Sequence, residues 1–381
     1  MSATPAPAPA RPRFPLIDSC RGIAAITVLL FHVGLVGSYA RTGELRSWSD
    51  ALWIGVPVFF VISGFLLYRP FAAAARTGGR PVAVGRYGLG RFLRIVPAYW
   101  AALTFFALTT GLHGVLTADW WKYYGFLQVY ADDTVLNGLA VAWTLCVEVT
   151  FYIALPLYAV ASRRLSLRNE YLLLFVLAAL SFGFRALTIH DHWGNTLPAS
   201  FVWFIPGMVL ALWTVEPPRF LSALTARSGL LWALAAVLVV AAGHLSVLAS
   251  NALMLIAAPL IVLPALSPSA SSIPGRVLSF RPLLWFGSVS YGLYLYHVTL
   301  MAWLVDHHGA SLGPSPWLSL ALVSLVATTI AAAASWYLLE EPALRLKSMS
   351  LPRRRREPAL APEPAATATP APVAVSVSAE R

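Results

Sequence analysis

Charge is what this sequence most conspicuously lacks. Only 11% of its 381 residues are charged, while 58% are hydrophobic; soluble domains carry about 25% charged residues. So little charge cannot cover a globule in water, and lipid is the solvent in which the composition makes sense. Cysteine is nearly absent. Cys20 and Cys146 are the only two, both in apolar segments expected near opposite membrane faces, which excludes a disulfide scaffold or a cysteine zinc site. Polar–apolar alternation is also missing, and the apolar runs are far too long for the strands of a membrane barrel. The formal net charge is +11, but the basic residues sit in particular loops rather than on one face. No nucleic-acid partner is expected.

Long apolar runs fill the chain instead. Spanning a bilayer takes about 20 mostly apolar residues, and ten segments qualify: 17–39, 52–71, 92–111, 139–161, 171–188, 200–215, 229–245, 249–266, 283–305 and 317–339. The first is too long for a signal-peptide core and reads as a retained helix. With the N-terminus placed inside, 23 of the 27 Lys and Arg residues fall in cytoplasmic segments. Only Arg41, Arg46, Lys122 and Arg185 remain outside. This split follows the positive-inside rule, which a wrong segment count would scramble. The expected fold is therefore all-α: a polytopic membrane helical bundle of about ten transmembrane helices, both termini cytoplasmic, in the inner (plasma) membrane. Residues 1–15 and 347–381, rich in Pro and Ala, are expected to be disordered tails around a membrane domain at 16–346.

Ionisable residues inside such a bundle are costly and point to function. Arg21 and His32 lie eleven positions apart on the first segment, almost three whole turns, so they share a face and differ in depth by about 16 Å. Arg21 then sits at the inner edge, where snorkelling to headgroups is the plain alternative. His32 lies well inside, where a buried structural histidine is the plain alternative. Glu148 lies within the fourth segment and His297 in the ninth, about 21 Å up from Leu283 by helical rise. Ser290, Tyr294 and His297 share one helical face. His32, Glu148 and His297 thus reach a similar depth, as a polar cavity would require, although equal depth is not contact. Arg86, Arg91 and Arg94 stand around the start of the third segment at the inner boundary, where guanidinium groups can hold phosphates bidentately or act only as topology signals. Glu340 and Glu341 end the last segment and read as partners for inner arginines. The clusters His190-Asp191-His192 and His307-His308 lie in outer loops; nothing else has metal-ligand spacing, and no metal is expected.

Several of these motifs occur together in a known order. Asp18-Ser19-Cys20-Arg21-Gly22, ending in Phe31-His32, resembles the opening of the acyltransferase-3 family of membrane acyltransferases. Gly55 to Phe65 is similar to that family's second helix, Arg91-Phe92-Leu93-Arg94 to its Arg-x-x-Arg segment, and Trp143 to Tyr152 to its Trp-Ser-Leu-x-x-Glu segment. Ser290 to His297 and Glu340-Glu341-Pro342 resemble its last two helices, so the likeness runs from about 14 to 346. Ser19, Cys146, Val149 and Thr150 depart from the usual residues. The family moves acyl groups, often acetyl, from coenzyme A thioesters to hydroxyls of carbohydrates, glycolipids or metabolites. The resemblance implies an acyl-CoA donor, acetyl-CoA foremost, and a hydroxyl-bearing acceptor. It makes Arg21 and His32 an essential pair and Arg91 and Arg94 donor-facing. The stand-alone form, with no esterase-like domain after the bundle, is the expectation.

The mechanism expected from these residues has acyl-CoA docked on Arg91 and Arg94, with Arg86 and Arg21 in support. His32 acts as general base, because an unperturbed imidazole titrates near working pH. Glu148 orients the imidazole or stabilises its cation, and His297 or Tyr294 donates to the oxyanion. A transporter or flippase for a lipid-linked or glycosylated substrate is the alternative, since intramembrane His and Glu also serve proton relays. A non-catalytic scaffold is a third reading.

Overall fold

The computed structural model describes residues 14–36, 44–266, 272–308 and 316–349, and the described residues contain helices and no strand. A long helix occupies each of the ten apolar segments. These are α1 (Leu16–Val36), α2 (Gly55–Arg76), α3 (Val84–Thr109), α4 (Trp143–Ser162) and α5 (Leu167–Leu187). They continue with α6 (Leu197–Val215), α7 (Ser228–Ala242), α8 (Val247–Val262), α9 (Arg281–His308) and α10 (Pro316–Ser335). Eight stretches of the described residues are long and apolar enough to cross a membrane. The other two long helices differ for opposite reasons. Helix α7 is apolar but has only 15 residues. Helix α9 has 28 but carries Ser288, Ser290, three tyrosines and His297, which lower its hydropathy. The expected tails lie outside the described residues for the most part, although a helix at Glu341–Met349 runs past residue 346.

Helix α3 begins at Val84, eight residues before the apolar run that marks it in the sequence. Arg86 and Arg91 therefore stand on the helix with Arg94 rather than ahead of it. Its first two turns are polar and glycine-containing, so hydropathy gives no sign of them, yet backbone hydrogen bonding needs no apolar side chain.

Large apolar side chains cover the perimeter. On α5, Leu172, Phe175, Leu180 and Leu187 are all exposed, as suits a face turned to acyl chains rather than water. Inside the bundle the helices meet through small residues, as membrane helices do when dispersion and close approach replace the hydrophobic effect. Helix α1 lies along α9. A Cβ on Gly287 would sit 2.0 Å from the Asp18 carbonyl oxygen, and one on Gly22 would sit 2.9 Å from that of Leu283. Helix α2 meets α6 in the same way: a Cβ on Gly207 would run into the Val61 carbonyl oxygen, and one on Gly64 into that of Phe204. These two backbone-tight seams fix the rotation of α1, α2 and α9 about their axes and so decide which side chains face inward.

Candidate active site

A cavity opens between α1, α2, α3, α4 and α9. At one end it is lined by Arg21, Arg91 and Arg94, with Leu67 and Tyr152 beside them; at the other by Val56, Phe59, Thr144 and Tyr294. Val56 and Leu67 are eleven residues apart on α2, so the cavity follows that helix for about 16 Å. Arg91 and Arg94 reach it together because residues three apart share a helical face.

The arginine end is cationic. None of the ion pairs among the described residues involves Arg21, Arg91 or Arg94, and the buried Nε of Arg91 has no hydrogen-bond partner. Arg94 lies over the Trp336 ring, 5.7 Å from its centroid. Trp336 belongs to a π-helical turn, Trp336–Glu340, that breaks the last long helix, a distortion common at functional sites. Glu340 is buried in this turn, accepts from Ser335 at 3.2 Å and has one carboxylate oxygen without a partner. Glu341 pairs with Arg345 at 2.9 Å. A guanidinium with a buried, unpartnered Nε beside two further cations has the donor chemistry for a polyanionic phosphate group. Arg86 is exposed on the first turn of α3 and does not line the cavity.

Glu148 lies in the middle of the cavity wall, and Ser63 Oγ donates to its Oε1 at 2.5 Å. Its observed hydrogen-bond partner is thus a hydroxyl of α2 rather than an imidazole. Ser63 escaped the sequence reading, although a hydroxyl within the apolar run Gly55–Phe65 was a visible signal.

His32 and His297, on helices 265 residues apart in sequence, are hydrogen-bonded to each other: His297 Nε2 lies 3.1 Å from His32 Nδ1. Their rings meet edge to face with centroids 4.8 Å apart. The proton positions follow from the partners. His297 Nδ1 is 2.7 Å from the Tyr294 carbonyl, which can only accept, so this nitrogen carries the hydrogen. In a neutral ring Nε2 is then a lone pair, and His32 Nδ1 must donate to it. The same N–H faces the Val28 carbonyl at 2.9 Å. His32 is left with its lone pair on Nε2, which no group of the described residues engages. A backbone carbonyl thus sets two tautomers in series, and His32 presents a base.

The imidazole pair does not line the cavity. His297 lies three residues beyond Tyr294, one turn past the cavity's far end. Tyr294 touches both sides: its ring is 5.7 Å from Phe59 and 5.7 Å from His297. Its hydroxyl is tied to Thr144 Oγ at 2.7 Å. The structure therefore brings Arg21, Arg91, Arg94 and Glu148 into one space and pairs His32 with His297 outside it, with Tyr294 in ring contact with both Phe59 and His297. Elsewhere, His192 Nδ1 lies 2.8 Å from Asp191 and 3.4 Å from Asp132. His308 and its surroundings fall at the edge of the described residues.

Residues 14–336 match the sequence profile of a family described as an acyltransferase domain. The peptidoglycan O-acetyltransferase OatA of Listeria monocytogenes is 24% identical over 359 residues, which cover 86% of this chain and 55% of that protein. The putative peptidoglycan O-acetyltransferase YrhL of Bacillus subtilis is 23% identical, covering 86% and 54%. Nodulation protein 10 of Rhizobium leguminosarum bv. viciae is 30% identical, covering 79% and 84%. The chain spans about half the length of the two O-acetyltransferases. No solved structure matches it.

Proposed function

Since the chain belongs to the acyltransferase-3 family, we propose that it is a membrane O-acyltransferase that moves an acyl group, acetyl foremost, from acyl-CoA to a hydroxyl of a carbohydrate, glycolipid or glycosylated metabolite. Both termini lie in the cytoplasm and the bundle sits in the inner (plasma) membrane as a domain at 16–346. The observation that carries the reading is the arrangement along one axis: three arginines without ion-pair partners at the near end of a cavity, and a tautomer-fixed imidazole one turn past its far end.

Arg91 and Arg94 hold the donor's phosphates from the cytoplasmic rim, with Arg21 beside them. The fit rests on the unpartnered Arg91 Nε, since a buried donor without an acceptor costs roughly 1–3 kcal/mol and a phosphate oxygen would satisfy it. Arg86, exposed and outside the cavity, can serve only in first attraction of the anion. The thioester arm then runs along the cavity past Glu148 toward Tyr294. The acceptor hydroxyl gives its proton to His32 Nε2 as its oxygen attacks the thioester carbonyl. The C–S bond breaks, the new C–O bond completes the ester, and the sulfur leaves as the thiol by taking that proton from His32. His297 and the Val28 carbonyl together hold the neutral His32 ring in the required tautomer. A general base of this kind contributes roughly 10²–10⁴-fold.

The test is acyl transfer in membranes from labelled acetyl-CoA. His32→Ala, inserted at the normal level, is expected to lose transfer by two or more orders of magnitude, about the contribution of a positioned base. Transfer at the normal rate excludes His32 as the base. Movement of substrate without thioester cleavage in the unaltered protein would favour the transporter instead.

A further inference from the structure

The geometry points to Phe59 and Tyr294 as the pair that selects the acyl group, admitting a short chain to His32 and excluding longer ones. This rests on the donor reading above. A donor whose phosphates lie on Arg91 and Arg94 has its acyl group as its far end, and that end meets the wall formed by Phe59, Tyr294 and Thr144. Beyond the wall stands the base, with Tyr294 in ring contact with His297 on one side and with Phe59 on the other. The acyl carbonyl must pass this wall to come within reach of His32, so the chain behind the carbonyl must fit there too.

The two rings differ in freedom. Tyr294 is 7% exposed and its hydroxyl is shared between Thr144 Oγ at 2.7 Å and the Val141 carbonyl at 3.3 Å, so it is pinned from α9 onto α4. Phe59 has no polar anchor, is half-buried and lines the cavity directly. The size of the opening is therefore set chiefly by the side chain at position 59. Discrimination by such an apolar wall works through lost space, and one methylene in an apolar pocket is worth roughly 10–200-fold.

The experiment compares kcat/KM for acetyl-, propanoyl- and butanoyl-CoA in membranes carrying the full chain, with Phe59→Ala and Phe59→Trp. Phe59→Ala is expected to raise the butanoyl-to-acetyl ratio by about tenfold or more, and Phe59→Trp to lower the propanoyl-to-acetyl ratio by a similar factor. Because the two variants move the ratio in opposite directions, general damage to the fold cannot imitate the result. Unchanged ratios in both variants, with the unaltered protein active on acetyl-CoA, overturn the selector and leave the donor reading standing. An unaltered protein that cleaves none of the three thioesters removes the donor reading and the selector with it.

Discussion

His297 Nε2 lies 3.1 Å from His32 Nδ1 and leaves the Nε2 of His32 uncommitted. Two rings from helices at opposite ends of the chain thus form one unit, oriented by the Tyr294 carbonyl. His297 is fully buried, so its value lies in what it does to its neighbour.

Removing that neighbour tests the unit. His297→Ala is expected to lower kcat by about one to two orders of magnitude, a smaller effect than loss of the base itself. The apparent KM for the donor should stay the same, because the arginine rim is untouched. His297→Asn, which can restore an acceptor for the His32 N–H, should recover part of the rate. A His297→Ala protein with normal kcat, measured by initial rates in membranes, contradicts the relay.

The arginines divide by position. Arg91→Gln and Arg94→Gln each remove a charged donor from the cavity, and hydrogen bonds to charged groups contribute about 1.5–3 kcal/mol. Apparent KM for acetyl-CoA should rise roughly tenfold to a hundredfold on that energy. Arg86→Gln, on the exposed first turn of α3, should change KM by less than about twofold, as for surface charges at ordinary salt. Equal KM effects at all three positions would mean that charge near the rim, and not the cavity, binds the donor.

A separate cluster holds the fold without touching the cavity. Glu170 is buried and receives hydrogen bonds from Tyr68 and Arg76, while Arg76 also lies 3.6 Å from Glu216. Breaking one side of such a buried pair costs about 3–5 kcal/mol. Glu170→Ala should therefore lower thermal stability in detergent sharply. Whatever fraction remains folded should keep the normal KM for the donor. A changed KM with unchanged stability would move this cluster into the site.

The helix seams make a steric prediction. Gly287→Ala would place its Cβ 2.0 Å from a backbone oxygen of α1, and backbone cannot swing aside. Overpacking of this kind costs roughly 1–3 kcal/mol or more, and it separates the two helices that carry His32 and His297. Both stability and transfer should fall. Gly183→Ala, where a Cβ meets nothing within 4 Å, should be neutral or slightly stabilising, since Gly costs up to about 1 kcal/mol relative to Ala in a helix. Equal melting temperatures for the two variants would show that the α1–α9 seam has room to spare.

Much of this was determined by the sequence alone. Hydropathy placed a helix in each of the ten segments, because the need to satisfy backbone groups in lipid leaves an apolar run little other choice. Helical periodicity put Arg91 and Arg94 on one face and His32 and His297 at similar depth. The order of the motifs carried the family. Only the tertiary structure decided who touches whom. Glu148 shared a depth with both histidines, yet its observed hydrogen bond is to Ser63 on α2, and His32 pairs with His297. Depth along a helix is local arithmetic, whereas facing depends on how each helix is rotated. That rotation is set by backbone contacts such as Gly287 on Asp18 and Gly207 on Val61, between residues far apart in the chain. The Tyr294–Phe59 wall has the same origin: aromatic residues on two separate helices become a partition only when those seams bring them together.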